Sequence, residues 1–242
     1  MAPRPDALVE RGLIELPLIG LYDDPDPAAF APIVTPGTRE HACLFAFFDH
    51  WKRGETLHLT EKVHGCGGCG RALFGVQGRS REEFLSFLVD TEGLKASREL
   101  MERWLESHRT YEPEHGNILV GPLRDDRYEH LKTVTFLVDP DRLALLVYAV
   151  HYESDPEENP VLTAPFGSGC MQFITLFENL DEAKGMIGAT DVAMRRFLPH
   201  DILAVTVTKP MYERLCRLDD KSFLYKPFWK NLMAARGGAP GK

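Results

Sequence analysis

The chain has 242 residues, of which 44% are hydrophobic and 26% charged, a composition typical of ordinary globular proteins. Its formal net charge of −8 argues against general nucleic-acid binding, which usually depends on a basic surface. The N-terminus lacks the apolar core of a signal peptide, and apolar runs such as residues 143–150 are too short to span a bilayer. We therefore expect a cytoplasmic protein that binds neither nucleic acid nor membrane.

Hydrophobic periodicity and turn residues predict alternating short helices and strands in the first half of the chain. The predicted elements are a helix over 6–14, strands over 16–22 and 56–60, a helix over 38–53, a helical turn over 71–75, helices over 82–88 and 95–108, and a strand over 118–120. The helix over 38–53 has a regular apolar face, and Cys43 lies at the edge of that face. Acidic pairs such as Asp23-Asp24 follow in loops and are expected to be solvated.

The second half of the chain has a similar plan. It contains a strong strand over 133–138 followed by a helix that begins at Asp139-Pro140, a strand over 161–163, and a strand over 202–208 followed by a helix that begins at Lys209-Pro210. Both halves follow the order strand, Gly-Cys turn, strand, proline, helix. This predicts one α+β (mixed α/β) domain over 1–236, built from weakly repeated halves at about 10–150 and 160–235. Residues 237–242 have the composition of a disordered tail.

Two glycine-rich turns contain three of the five cysteines. Cys66 and Cys69 lie in the run His64-Gly-Cys-Gly-Gly-Cys-Gly70, and Cys170 ends the run Phe166-Gly-Ser-Gly-Cys170. In a chain without an export signal, a close cysteine pair is more often a metal ligand or a redox pair than a structural disulfide. If the repeat is real, the two turns face each other at the junction of the halves.

Four cysteines suffice for an iron–sulfur cluster or a zinc ion. The predicted ligands are Cys43, Cys66, Cys69 and Cys170. The scattered spacing and the flanking glycines, whose amides can approach sulfides, favour a cluster of the 4Fe-4S type over zinc. Cys216 follows an apolar residue on a predicted helix and is expected to pack in the core.

Two other functions remain open at this point. A non-catalytic module could bind a small molecule or an anion through backbone amides of the glycine turns, with arginines supplying charge. Its contact residues would be His64, Gly67, Gly68, Arg71, Gly167, Gly169, Arg195 and Arg196, although the arginines are equally compatible with a solvated surface. A Cys66–Cys69 thiol pair would instead make the chain a redox protein. The sequence predicts no reaction, substrate, redox partner or oligomeric state, and a homo-oligomer is compatible with it.

Several segments in order resemble the uncharacterised prokaryotic family DUF169 (domain of unknown function 169). They are the apolar strand at 17–21, Cys43, the loop at Cys66, Gly121-Pro-Leu123, the strand-Asp-Pro-helix unit at 133–150, the Cys170 turn and the closing strand-Pro-helix. The resemblance covers most of residues 10–220 and supports the fold and the cysteine positions. It implies no activity, because the family has none assigned. The chain departs from the family pattern by carrying the second loop cysteine, Cys69, which favours metal binding.

Overall fold

The structure is a computed structural model that describes residues 2–15, 17–35, 43–61, 73–75, 80–107, 111–163 and 180–237. Its strands are β1 (Ile19–Asp23), β2 (Ile33–Val34), β3 (Thr56–Thr60), β4 (Asn117–Pro122), β5 (Leu131–Val138), β6 (Val161–Thr163), β7 (Gly185–Gly188) and β8 (Leu203–Thr208). Its α-helices include α1 (Asp6–Glu10), α2 (Phe48–Lys52), α3 (Arg81–Ser86), α4 (Arg98–Ser107), α5 (Pro140–His151), α6 (Lys209–Leu215) and α7 (Pro227–Ala235). The predicted α+β class is confirmed.

The strands form one mixed sheet in the order β2-β3-β4-β1-β5-β8-β7-β6. The pairs β2–β3 and β6–β7 are parallel, and every other neighbouring pair is antiparallel. All five residues of β1 are buried, because this central strand has packed side chains on both faces. The sheet therefore divides the apolar core into two layers.

Each layer has its own apolar cluster. Cluster 1 includes Tyr22, Leu119, Val134, Phe136, Leu146, Val205, Val207 and Tyr212. Cluster 2 includes Ile19, Leu21, Leu44, Trp51, Leu59, Leu73, Ile118 and Val120. Because side chains alternate along a strand, Leu119 on β4 points to cluster 1 while its two neighbours point to cluster 2.

Helices α5 and α6 cover the cluster 1 face and contact both β5 and β8. Each helix begins directly after its strand, with a proline in its first turn and a side-chain N-cap. The Asp139 carboxylate accepts the N–H of Arg142 at 2.8 Å, and the Thr208 hydroxyl accepts the N–H of Met211 at 3.4 Å. These two strand-Pro-helix units therefore lie side by side at the centre of the sheet.

Outside these two units, the two halves of the predicted repeat differ in structure. The predicted counterparts β3 and β6 do not lie in matching places, since two strands separate β3 from β5 and one separates β6 from β8. In addition, β3 is antiparallel to its inner neighbour whereas β6 is parallel to its own. The repeat as a whole stays a prediction.

Cys43 is not inside a helix as predicted. It has extended backbone angles (φ −61°, ψ 149°) and precedes a 3₁₀ turn at Leu44–Phe47 that leads into α2. The apolar face predicted for 38–53 is present, and the Trp51 indole N–H donates to the Val120 carbonyl at 3.1 Å, which fixes α2 against β4. The predicted N-cap at Thr38 lies outside the described residues.

Candidate functional site

The structure describes one of the four predicted metal ligands. Cys43 is half-buried and packs against cluster 2. Cys66, Cys69 and Cys170 lie outside the described residues, as do His64, Gly67, Gly68, Arg71, Gly167 and Gly169. The ligand set therefore stays a prediction.

Both flanks of the first cysteine loop belong to cluster 2. Leu59 precedes the loop at the end of β3, Leu73 follows it, and both are fully buried. Leu44, next to Cys43, belongs to the same cluster and is also fully buried. The chain therefore enters and leaves the Cys66–Cys69 loop on the face of the sheet where Cys43 lies.

The strands that lead into the two cysteine turns end far from each other. β3 and β6 run in opposite directions, so Thr60 and Thr163 lie at opposite ends of the sheet. Five strands separate β3 from β6, which corresponds to about 29 Å along the sheet at ~4.8 Å per strand. A site shared by both turns would therefore have to lie over a face of the sheet. Helices α5 and α6 cover the cluster 1 face, whereas Cys43 and both flanks of the first loop lie on the cluster 2 face.

Four buried threonines occupy the centre of that face. Thr133 and Thr135 on β5 pair directly with Thr208 and Thr206 on β8, and all four are fully buried. They alternate with valines and Phe136 of cluster 1, so their side chains point to the opposite face. We call these four residues the threonine floor. It is a polar area beside cluster 2.

The hydroxyl groups of the floor differ in their hydrogen bonds. The Thr135 and Thr206 hydroxyl oxygens are 2.7 Å apart and share a hydrogen bond. The Thr208 hydroxyl donates to the Glu182 carbonyl at 2.6 Å and accepts the Lys184 N–H at 3.1 Å. The Thr133 hydroxyl is buried, and none of the residues that the structure describes forms a hydrogen bond with it. Such a group is unusual in a folded protein and needs an explanation.

The two described arginines of the anion-binding alternative have defined contacts. The Arg195 guanidinium donates to the backbone carbonyls of Pro199 at 3.0 Å and His200 at 2.7 Å, and also to those of Ala189 and Ile202. Through these four contacts Arg195 stabilises the backbone of the segment between β7 and β8. The Arg196 guanidinium lies 4.8 Å from the centre of the Phe197 ring.

The Asp23-Asp24 pair is buried, so the prediction of a solvated pair was wrong. Asp23 is 1% exposed, and its carboxylate accepts the Tyr111 hydroxyl at 2.6 Å and the backbone N–H groups of Glu114 at 2.7 Å and His115 at 3.1 Å. Desolvation and this hydrogen bond raise the pKa of Tyr111 above its usual range. The pair was missed because its partners lie about ninety residues further along the chain.

Asp24 is fully buried at the same end of the sheet. One carboxylate oxygen accepts the Asp26 N–H at 2.8 Å and lies 3.8 Å from an Arg127 guanidinium nitrogen. The other oxygen forms no hydrogen bond within the described part of the chain and lies 3.9 Å from the His130 Nε2 atom. The His130 ring contacts the His115 ring edge-on, at 5.7 Å between centres. Asp24, Arg127, His115 and His130 therefore form a cluster of ionisable side chains around the end of β1.

Cys216 belongs to the other face of the sheet. It follows α6 and packs against cluster 1, and burial raises the pKa of its thiol to about 12. A thiol of such high pKa stays protonated at neutral pH and is a poor nucleophile and a poor ligand. Cys216 is therefore a natural internal control for the four predicted ligands.

The described residues contain neither a group of side chains arranged to hold a metal ion nor a helix that could span a membrane. No group of three His, Cys, Asp or Glu side chains there is arranged to hold a metal ion. Within the same ranges, no helix is long and apolar enough to cross a membrane. Three of the four predicted ligands, Cys66, Cys69 and Cys170, lie outside these ranges.

Comparison with known proteins identifies a family. No curated protein and no solved structure matches the chain. The family DUF169, described as an uncharacterised ArCR family, matches residues 22–217, from the end of β1 to just beyond α6. This match covers most of the chain, including all four predicted ligands and the threonine floor. The chain belongs to the DUF169 family.

Proposed function

We propose that this protein binds an iron–sulfur cluster of the 4Fe-4S type through Cys43, Cys66, Cys69 and Cys170, and uses it in redox-linked chemistry. The observation that supports the proposal is the shared location of Cys43 and both flanks of the Cys66–Cys69 loop in cluster 2. Leu59 and Leu73 at the two flanks are fully buried beside the turn that Cys43 begins. Zinc bound by the same thiolates is the alternative occupant.

The chemistry of the surroundings suits such a centre. An apolar cluster excludes water, and low solvent access is one of the factors that set the reduction potential of a cluster. Glycines on both sides of Cys66 and Cys69, and directly before Cys170, would allow backbone amides to approach sulfur closely. Thiolate ligands also require a reducing compartment, so the proposal includes the cytoplasm as the location.

The test is a visible absorption spectrum with iron, sulfide and zinc analysis on protein purified without oxygen. We expect a coloured protein in which iron and sulfide are equimolar. Colourless protein with stoichiometric zinc would replace the cluster by a zinc site. Colourless protein without metal would overturn the proposal and leave a ligand-binding module or a thiol pair.

Single cysteine variants test the ligand set. Cys43→Ala, Cys66→Ala, Cys69→Ala and Cys170→Ala should each lose most of the bound iron. Cys216→Ala should keep it, because this thiol lies on the opposite face with a pKa of about 12. Iron loss in Cys216→Ala equal to that in the other four would show that loss reflects unfolding rather than ligation.

A further inference from the structure

The outer side of α5 carries a group of exposed aromatic side chains. Tyr148 lies on this helix and is 65% exposed, and Tyr152, directly after the helix, is also exposed. The Phe223 ring, from the segment before α7, contacts both tyrosine rings, with ring centres 5.0 Å and 5.9 Å apart. We call these three residues the aromatic patch. Exposed aromatic groups held together in this way are typical of the centres of protein–protein contacts.

Two stretches of opposite charge adjoin the aromatic patch. Residues 153–158, directly after Tyr152, contain four acidic residues and no basic one. Residues 226–237, which include α7, contain three basic residues and no acidic one. Phe228 lies in this basic stretch and is 90% exposed, so the stretch presents apolar as well as charged surface.

Contacts between α5 and the C-terminal segment place the two stretches at opposite ends of the helix. The Tyr152 hydroxyl donates to the Lys221 carbonyl at 3.3 Å, next to the end of α5. At the start of α5, the Arg236 guanidinium donates to the Asp141 carboxylate at 2.7 Å. The chain from 221 to 236 therefore runs antiparallel to α5. The basic stretch lies beside the first half of the helix, and the acidic stretch follows its last turn.

Part of the charge of both stretches is neutralised within the chain. Three ion pairs of 2.7–2.9 Å do this, namely Arg236–Asp141, Arg214–Glu158 and Arg217–Glu153. The other charged residues of the two stretches are exposed, namely Lys226 and Lys230 at the basic end and Asp155 and Glu157 at the acidic end. Each end therefore presents two charges to solvent, and the two ends have opposite sign.

We propose that this surface binds a second copy of the chain in a twofold-symmetric dimer. The two α5 helices lie antiparallel in it, and the two aromatic patches meet at its centre. The basic end of each copy then lies opposite the acidic end of the other, so both ends of the contact attract. Helices in the parallel direction would bring like charges together.

The charge distribution favours a second copy over other partners. An anionic membrane or a nucleic acid would attract the basic end but repel the acidic end, which adjoins the same patch. Two copies with a net charge of −8 repel each other at long range, so they associate only where the contact is locally complementary. The surface on α5 and α7 has this property, because each of its ends matches the opposite end of the same surface.

The test is the mass of the full-length protein in solution, measured by light scattering after gel filtration and by sedimentation over a range of concentrations. The mass of one chain is 27.3 kDa, and we expect the wild-type protein to approach twice this mass as the concentration rises. On dilution the dimer should dissociate, because the contact is small, and Tyr148 then has the exposure of the single chain.

A substitution at the centre of the patch tests its location. Tyr148→Glu should keep the mass of one chain at concentrations where the wild-type protein is dimeric, because it brings two carboxylates together at the twofold axis. Val192→Glu is the matched control. Val192 is 89% exposed, and it lies between β7 and β8 in a segment that packs against cluster 2, on the other face of the sheet. This variant should dimerise like the wild-type protein.

Charge-reversal variants test the antiparallel arrangement. Lys226→Glu/Lys230→Glu has two acidic ends and Asp155→Lys/Glu157→Lys has two basic ends, so each variant alone should keep the mass of one chain. Mixed in equal amounts, they should form a heterodimer of twice that mass, because both ends of the mixed pair attract. If Tyr148→Glu does not accumulate, this pair of variants carries the test, since the substituted side chains are exposed.

Three results would overturn the proposal. The wild-type protein would have the mass of one chain at every concentration, or it would form a dimer that Tyr148→Glu leaves intact. In the third case, the mixed charge-reversal variants would stay at the mass of one chain. Equal loss of the dimer in Val192→Glu would also count against the aromatic patch. The dimer does not depend on a bound cluster, so the iron content of the protein decides the proposed function separately.

Discussion

Asp23 is held by three donors at the end of a strand whose side chains are all buried. Its carboxylate joins β1 to the segment around Tyr111 and His115, so the interaction bridges about ninety residues of sequence. Hydrogen bonds to a charged buried acceptor contribute more than neutral ones. Asp23 therefore stabilises the end of β1.

Asp23→Asn should lower the free energy of unfolding by about 1–3 kcal/mol. The asparagine amide has one acceptor oxygen, and its NH2 group would face hydrogen-bond donors that now contact the carboxylate. Urea unfolding followed by fluorescence measures the change. Asp125→Asn is the control, because this carboxylate pairs with Arg4 at an exposed position and such pairs contribute little. Equal losses in the two variants would contradict a special role for the buried carboxylate.

At the scale of elements, β3 and β4 approach unusually closely at Gly121. A β-carbon at this position would lie 2.4 Å from the Thr56 hydroxyl oxygen and 2.8 Å from the Thr56 α-carbon. No side-chain rotation relieves a contact with an α-carbon. The glycine of the Gly121-Pro-Leu123 segment is therefore explained by packing between neighbouring strands.

Gly121→Ala should cost about 1–3 kcal/mol of unfolding free energy, the usual range for forcing extra volume into a packed core. Gly185→Ala is a matched strand variant with a milder contact, since its nearest neighbours are valine methyl groups at 3.3 Å and beyond. We expect the first variant to unfold at clearly lower urea concentration than the second. The reverse order would show that the strands can shift apart at Gly121.

Some of the strands and helices could be predicted from the sequence and others could not. β5 and β8 alternate regularly and lead into proline-started helices, so local signals suffice for both. β7 was missed because Gly185–Gly188 is short and half glycine, and it is a strand only through its neighbours. Helix α7 could have been found from Pro227 in its first turn and from Trp229 and Met233, which are spaced four residues apart and buried.

The candidate site was predictable only in part. Cysteine spacing predicts the two turns, which lie outside the described residues, and Cys43 packs beside the predicted apolar face although its helix begins later than predicted. The threonine floor was not recognised, because threonine is common in strands and its burial depends on which face each strand presents. That information comes from the register of β5 against β8 and is absent from either strand alone.

At the scale of the whole molecule, cluster 1 buries ionisable side chains: the phenols of Tyr22 and Tyr212 lie in it, and the thiol of Cys216 packs against it. Burial raises the pKa of Tyr22 and Tyr212 above the ordinary value of 10.0, and raises that of Cys216 from 9.0 to about 12. In the unfolded chain these groups ionise at their ordinary values, whereas in the folded protein they stay neutral. The contribution of these neutral groups to the free energy of unfolding is fully present below pH 9, and it is lost as the pH rises toward the pKa values of the folded protein.

We therefore expect the melting temperature to fall as the pH is raised from 8 to 11, which calorimetry of the metal-free protein can follow. Tyr212→Phe removes one buried phenol and should make this fall shallower. Tyr148→Phe is the control, because Tyr148 is 65% exposed and its removal should leave the slope unchanged. Equal slopes in the wild-type protein and in Tyr212→Phe would mean that lysine deprotonation or surface charge, rather than the buried phenol, governs alkaline unfolding.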